Sequence, residues 1–148
     1  MKLCLNILFI LFCSLYQEVH TFAQTTSEDK VPLYRYFNVE TGDHYFTTTL
    51  RQDGEDGYKS EGVACEVFMT QQPGTVPLYG YFKEKNSIAD HYLTTDINVL
   101  GPDGNWGYYS EGIVCYLYPN RKLGSIPLYC YYNRDIKDHH FTTNSKEF

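Results

Sequence analysis

From Val31 onward, β-branched and aromatic residues alternate with polar ones in short runs that Gly, Asn, Asp or Pro interrupt every few residues. This period of two, with turn formers at each break, is the pattern of short half-buried strands. In the first part of the chain it predicts strands over Leu33–Phe37, His44–Thr48, Tyr58–Ser60 and Val63–Phe68. No stretch carries a sustained helical period, apart from a single turn expected after Thr48 and after Thr95.

The same pattern returns twice. Val31-Pro32-Leu33-Tyr34-Arg35-Tyr36-Phe37-Asn38 is followed by Val76-Pro77-Leu78-Tyr79-Gly80-Tyr81-Phe82 and by Ile126-Pro127-Leu128-Tyr129-Cys130-Tyr131-Tyr132-Asn133. A second block repeats in register: Gly42-Asp43-His44-Tyr45-Phe46-Thr47-Thr48, Ala89-Asp90-His91-Tyr92-Leu93-Thr94-Thr95 and Lys137-Asp138-His139-His140-Phe141-Thr142-Thr143. A third block, Gly57-Tyr58-Lys59-Ser60-Glu61-Gly62 and Gly107-Tyr108-Tyr109-Ser110-Glu111-Gly112, occurs in two copies only. The copies are 31–75, 76–125 and a partial 126–148. Four strands per unit in three units predicts an all-β, β-trefoil-like fold with the third repeat truncated.

These motifs, PLYxYxN, GDHxFTT and GYxxEG, resemble a tandem-repeat family of unknown function found in secreted proteins. The resemblance covers Val31 to Phe148. It implies a trefoil-like fold and a binding-module role of the kind that accompanies hydrolases, and no chemistry of its own.

Strand alternation sorts the repeated residues by face. His44, His91 and His139 share their faces with Phe46, Leu93 and Phe141, so they are expected to point inward as structural hydrogen-bonding groups, with Asp43, Asp90 and Asp138 fixing the preceding turns. The alternative is a polar site repeated in each unit, where a sugar meets Asp43, Tyr45, Asp90, Tyr92, Asp138 and His140. Adjacent strand residues point to opposite faces and grip a shared ion poorly, so no metal and no cofactor is expected. Glu61 and Glu111, each between Ser and Gly, read as structural turn residues. As members of different copies they are expected to lie too far apart for the paired-carboxylate chemistry of glycosidases.

Residues 1–23 read as a signal peptide: a basic start, an apolar run from Leu3 to Leu15 too short to span a bilayer, and Thr21-Phe22-Ala23 at the cleavage position. Residues 24–30 then form a linker before the repeat domain, 31–148. The expected location is therefore extracellular. There, Cys65, Cys115 and Cys130 make an odd number of cysteines. Cys115 and Cys130 flank a polar turn in two strands expected to form a hairpin, which predicts a disulfide between them and leaves Cys65 free or linking two chains. A chain lacking the last strand of its third copy would also leave the edge at Leu33–Phe37 open to a second copy.

The net charge is −6, and Lys2 and Glu18 cancel if the signal peptide leaves. With no basic stripe, neither nucleic acid nor a membrane surface is an expected partner. The chain holds 15 Tyr, whose rings cover apolar surface while the hydroxyl keeps a polar contact, and this suits a glycan-facing surface. Read together, these features predict a secreted, lectin-like carbohydrate-binding module that is not an enzyme. The alternative is a secreted structural or protein-interaction component, in which the tyrosines only pack.

Overall fold

The computed structural model describes residues 30–147. The expected signal peptide and nearly all of the expected linker lie outside the described residues. Among the described residues the protein is all-β, with eight strands and one short 3-10 turn at Glu55–Gly57. The first unit contributes β1 (Lys30–Asn38), β2 (Asp43–Thr47) and β3 (Lys59–Phe68), and the second β4 (Val76–Lys85), β5 (Ile88–Thr94) and β6 (Tyr109–Leu117). The third contributes β7 (Tyr129–Asn133) and β8 (Asp138–Thr142).

Within a unit the first strand is central. β1 pairs antiparallel with β2 on one side and β3 on the other, and β4 pairs likewise with β5 and β6. The two triplets join through one bridge, Phe68 to Tyr116, giving a six-stranded sheet in the order β2-β1-β3-β6-β4-β5, while β7 and β8 form a separate hairpin. The inner strands β2, β5 and β8 touch one another and close a threefold arrangement.

Two expectations change here. Each full unit has three strands where the sequence pattern suggested four, because Tyr58–Ser60 and Val63–Phe68 belong to one bulged strand. Opposite β1, Arg35 faces Gly62 and Tyr36 faces Ser60, so Glu61 is an extra residue. Opposite β4, Gly80 faces Gly112 and Tyr81 faces Ser110, which leaves Glu111 extra in the same way. Gly62 and Gly112 take positive φ of 91° and 86°, which lets the strand run on past the bulge. Leu33–Phe37 is also no open edge: it lies inside β1, flanked on both sides.

The expected Cys115–Cys130 disulfide is not formed, and Cys65, Cys115 and Cys130 are all free. The register explains why. β6 pairs with β4 instead of with β7, so Cys115 lies opposite Leu78, while Cys130 lies opposite Phe141. Cys115 is buried in the core and burial pushes its thiol up to about 12, whereas Cys130 is exposed. Cys65 packs half-buried against the same core.

That core gathers equivalent residues from all units: Leu33 and Leu78 from the central strands, and Phe46, Leu93 and Phe141 from the inner ones. Phe46 and Phe141 meet edge to face at 5.5 Å across the junction of units one and three. The second tyrosine of each PLYxY motif holds a loop in place. The Tyr36 hydroxyl accepts from the Arg51 amide at 2.8 Å, Tyr81 donates to the Gly101 carbonyl at 2.8 Å, and Tyr131 donates to the Ser145 carbonyl at 3.3 Å. Asn38 and Asn133, which end the motif in two copies, accept turn amides from Glu40 and Asp135 at 3.0 Å.

Candidate functional site

Each inner strand begins with Asp-His, and the threefold arrangement makes that dipeptide a clasp between units. Asp43 of the first unit accepts the His91 backbone amide at 2.8 Å and pairs with His91 Nδ1 at 2.6 Å. Asp90 holds the amide of His139 at 2.8 Å and its Nδ1 at 2.9 Å. Asp138 closes the ring on His44, at 2.9 Å to the amide and 2.6 Å to Nδ1. Every aspartate therefore orients the histidine of the next unit, through a pair of bonds that fixes both backbone and ring.

The three aspartates are essentially inaccessible, and their oxygens approach within 4.8 Å of one another. Three carboxylates so close in a buried setting repel unless each is matched by donors. Tyr58 supplies a further hydroxyl to Asp43, and Tyr108 does the same for Asp90. At Asp43 burial opposes ionisation, but the bonds from His91 and Tyr58 outweigh it and hold the carboxyl below its usual range. Burial and the facing carboxylate push the Tyr58 and Tyr108 hydroxyls well above theirs, keeping both protonated as donors.

The aspartates thus do not fix local turns as expected, and their burial removes Asp43, Asp90 and Asp138 from the surface on which a ligand was expected to meet them. The other expected contacts, Tyr45, Tyr92 and His140, occupy equivalent positions and each lies on a histidine of the neighbouring unit. Tyr45 sits 4.5 Å from the His91 ring, Tyr92 4.6 Å from His139 and His140 4.2 Å from His44. A second aromatic from the histidine's own unit completes each sandwich: Phe82 at 4.3 Å, Tyr132 at 4.6 Å and Phe37 at 4.6 Å.

The bulges aim the two glutamates at these rings. Glu61 lies 3.7 Å from His44 Nε2 and Glu111 3.7 Å from His91 Nε2. They are not turn residues; the inserted position turns their side chains toward the junction between units. At the junction of units one and three, Arg35 joins Glu61 at 2.8 Å and Glu147 at 3.1 Å. The small cleft beside them, about 210 Å³, is thereby spanned by ion pairs. Glu147 is held below the usual carboxylate range by the Thr142 hydroxyl and by Arg35.

The junction of units one and two is open. A cleft of about 330 Å³ is lined by the rings of Tyr45, Tyr58, Phe82 and Tyr109, by His91 and Glu111, and by Arg51, Asp56 and Glu84. Arg51 is committed to Asp56 at 2.5 Å and Glu55 at 3.1 Å, and it lies over the Tyr45 ring. Burial raises the Glu111 carboxyl; His91 opposes that shift and Asp43 adds to it. This arrangement combines ring faces with hydrogen-bonding groups of fixed direction, the usual make-up of a small-molecule site. Arg51, Phe82, Glu84 and Tyr109 were not anticipated from sequence. They come from two strands of the second unit, where Phe82 lies opposite Tyr109, and from a loop of the first unit that carries Arg51.

Among the described residues, two groupings offer oxygen and nitrogen ligand atoms within 4.8 Å of one another: the three buried aspartates, and the set of half-buried His44 with buried Asp138 and His140. The aspartates and His44 already serve the clasps, and His140 Nε2 lies 3.4 Å from Glu147.

The strand plan and the clasps define a class: an all-β protein of three related units that exchange Asp–His contacts around a common centre. A family described as Domain of unknown function (DUF5648) matches residues 14–99 and again 56–148. The chain belongs to this family. No curated protein and no solved structure matches it.

Proposed function

We propose that this protein is a secreted carbohydrate-binding module of trefoil-like plan, which takes a sugar into the cleft between its first and second units and performs no catalysis of its own. The observation that carries the reading is the open cleft, where ring faces stand around the oriented His91–Glu111 pair. Sugar rings bind by laying their C–H faces on aromatic side chains while hydroxyls meet carboxylate and imidazole groups, and Tyr45, Phe82 and Tyr109 supply the first while Glu111 supplies the second. Glu61 and Glu111 line different clefts, which supports binding over glycoside hydrolysis by that pair.

Screening the chain from Gln24 against a glycan array tests this. The reading expects binding that a free sugar competes away and that Tyr109→Ala abolishes, and a folded protein silent across the array would refute it. The second reading, a protein-interaction component, draws support from the third unit: among the described residues β7 pairs only with β8, and Ile126, Tyr129 and Tyr132 beside that edge are exposed. A stable protein partner or a dimer in solution, together with that silence, would favour it.

A further inference from the structure

The three units differ at one position that faces the bulged glutamate. The central residue of PLYxY is Arg35 in the first unit, Gly80 in the second and Cys130 in the third. In the first unit Arg35 neutralises Glu61 at 2.8 Å. In the second, a Cβ placed on Gly80 would fall 3.3 Å from Glu111 Oε2 and 2.8 Å from the Val114 side chain. Glu111 therefore lies over bare backbone where its counterpart has an arginine. Among the described residues, its ion-pair neighbour is His91, whose Nδ1 is already held by Asp43. Arg51 is the cation of this cleft, and Glu55 and Asp56 occupy it. Glu84 brings a further carboxylate to the same cleft, next to the Phe82 and Tyr109 rings that meet edge to face at 5.3 Å.

A carboxylate whose charge burial disfavours, in a half-buried, ring-walled space, is stabilised in its ionised form by a cation, and the ring faces add to that attraction. We propose that the cleft selects sugars bearing a free primary amine, whose ammonium reaches Glu111 from the cleft and supplies the cation that Arg35 supplies to Glu61. This rests on the reading of the cleft as a sugar site and adds the class of sugar: a de-N-acetylated amino sugar in preference to its N-acetylated or neutral counterpart.

Calorimetric titration of the chain from Gln24 with a glucosamine trisaccharide and with its N-acetylated form separates the two levels. The expected result is binding of the free amine about tenfold tighter, as one charge-assisted contact would give, and weaker at higher salt. Glu111→Gln, with an unchanged melting curve, removes the difference. Glu84→Gln, on the exposed rim, reduces it in part and keeps the test alive should Glu111→Gln fold poorly. Equal or tighter binding of the N-acetylated form, or a preference that survives both variants, overturns the amine assignment while leaving the sugar reading in place. If neither trisaccharide binds but cadaverine does so in a Glu111-dependent way, the sugar reading falls and the cation assignment stands. If none of the three binds, both fall.

Discussion

Replacing Asp43 and Asp138 by alanine, one at a time, measures what the clasps contribute, because the two sites differ by one bond. Asp43→Ala strips the acceptor from three donors: the His91 amide, His91 Nδ1 and the Tyr58 hydroxyl. Asp138→Ala strips it from two, the His44 amide and His44 Nδ1. An orphaned buried donor costs about 1–3 kcal/mol, and a hydrogen bond to a charged group contributes about 1.5–3 kcal/mol. Asp138→Ala should therefore lose about 2–4 kcal/mol, and Asp43→Ala about 1.5–3 kcal/mol more. The His91 side chain is also the less exposed, 9% against 14% for His44, so water relieves its lost bond less readily. On a total of about 5–15 kcal/mol the larger loss approaches unfolding. Asp43→Asn serves as the milder companion, keeping one acceptor while setting an NH2 against one of the donors. Urea unfolding followed by far-UV circular dichroism gives the free energies. Equal losses at Asp43 and Asp138, or losses below about 1 kcal/mol at both, would refute the clasp as a structural device.

Three further outcomes follow from the same geometry. Tyr58→Phe removes only the third donor at Asp43 and should cost about 1.5–3 kcal/mol in the same urea assay, with no loss expected if that hydroxyl bond is absent. Burial lowers the pKa of His140 from 6.5, and the neighbouring His44 and Arg35 lower it further. Its neutral form is favoured on folding, so that contribution is full above about pH 6.5 and is lost as pH falls through the lowered value. His140→Tyr, which copies Tyr45 and Tyr92, should flatten the slope of stability against pH in that range, and an unchanged slope would count against it. Thiol titration with a chromogenic disulfide should label exposed Cys130 first, though slowly because burial and the nearby Asp90 and Asp138 push its thiol up to about 11, and buried Cys115, pushed up to about 12, only on unfolding. Two thiols missing from the denatured protein would restore the disulfide.

How far the amino-acid sequence speaks depends on whether a feature is local to one unit. Strand positions were legible because alternation and turn residues are local, and β2, β5 and β8 fall close to where the Asp-His blocks put them. The bulges were not: Ser-Glu-Gly reads as a turn, and only the register against β1 and β4 shows Glu61 and Glu111 to be inserted in a continuous strand. Nor was the clasp. His44 takes its partner from residue 138, His91 from residue 43 and His139 from residue 90, so no local pattern could name them. The cysteine register failed for a related reason. The hairpin rule joins consecutive strands, whereas β6 turns back on β4 and leaves β7 to pair with β8. Tyr45 was a candidate from the start, with Arg51 of its own unit lying over its ring, while Phe82 and Tyr109 join that cleft only where the second unit meets the first.

The most direct test of the sugar cleft is an NMR titration of the chain from Gln24, labelled at its histidine rings, with glucosamine trisaccharide. His91 lies in the open cleft, while His44 lies at the junction spanned by Arg35. The account predicts that His91 ring signals move on titration, that those of His44 and His139 stay in place, and that Tyr109→Ala abolishes the change. Signals of all three histidines moving alike, or none moving at saturating sugar, would contradict it.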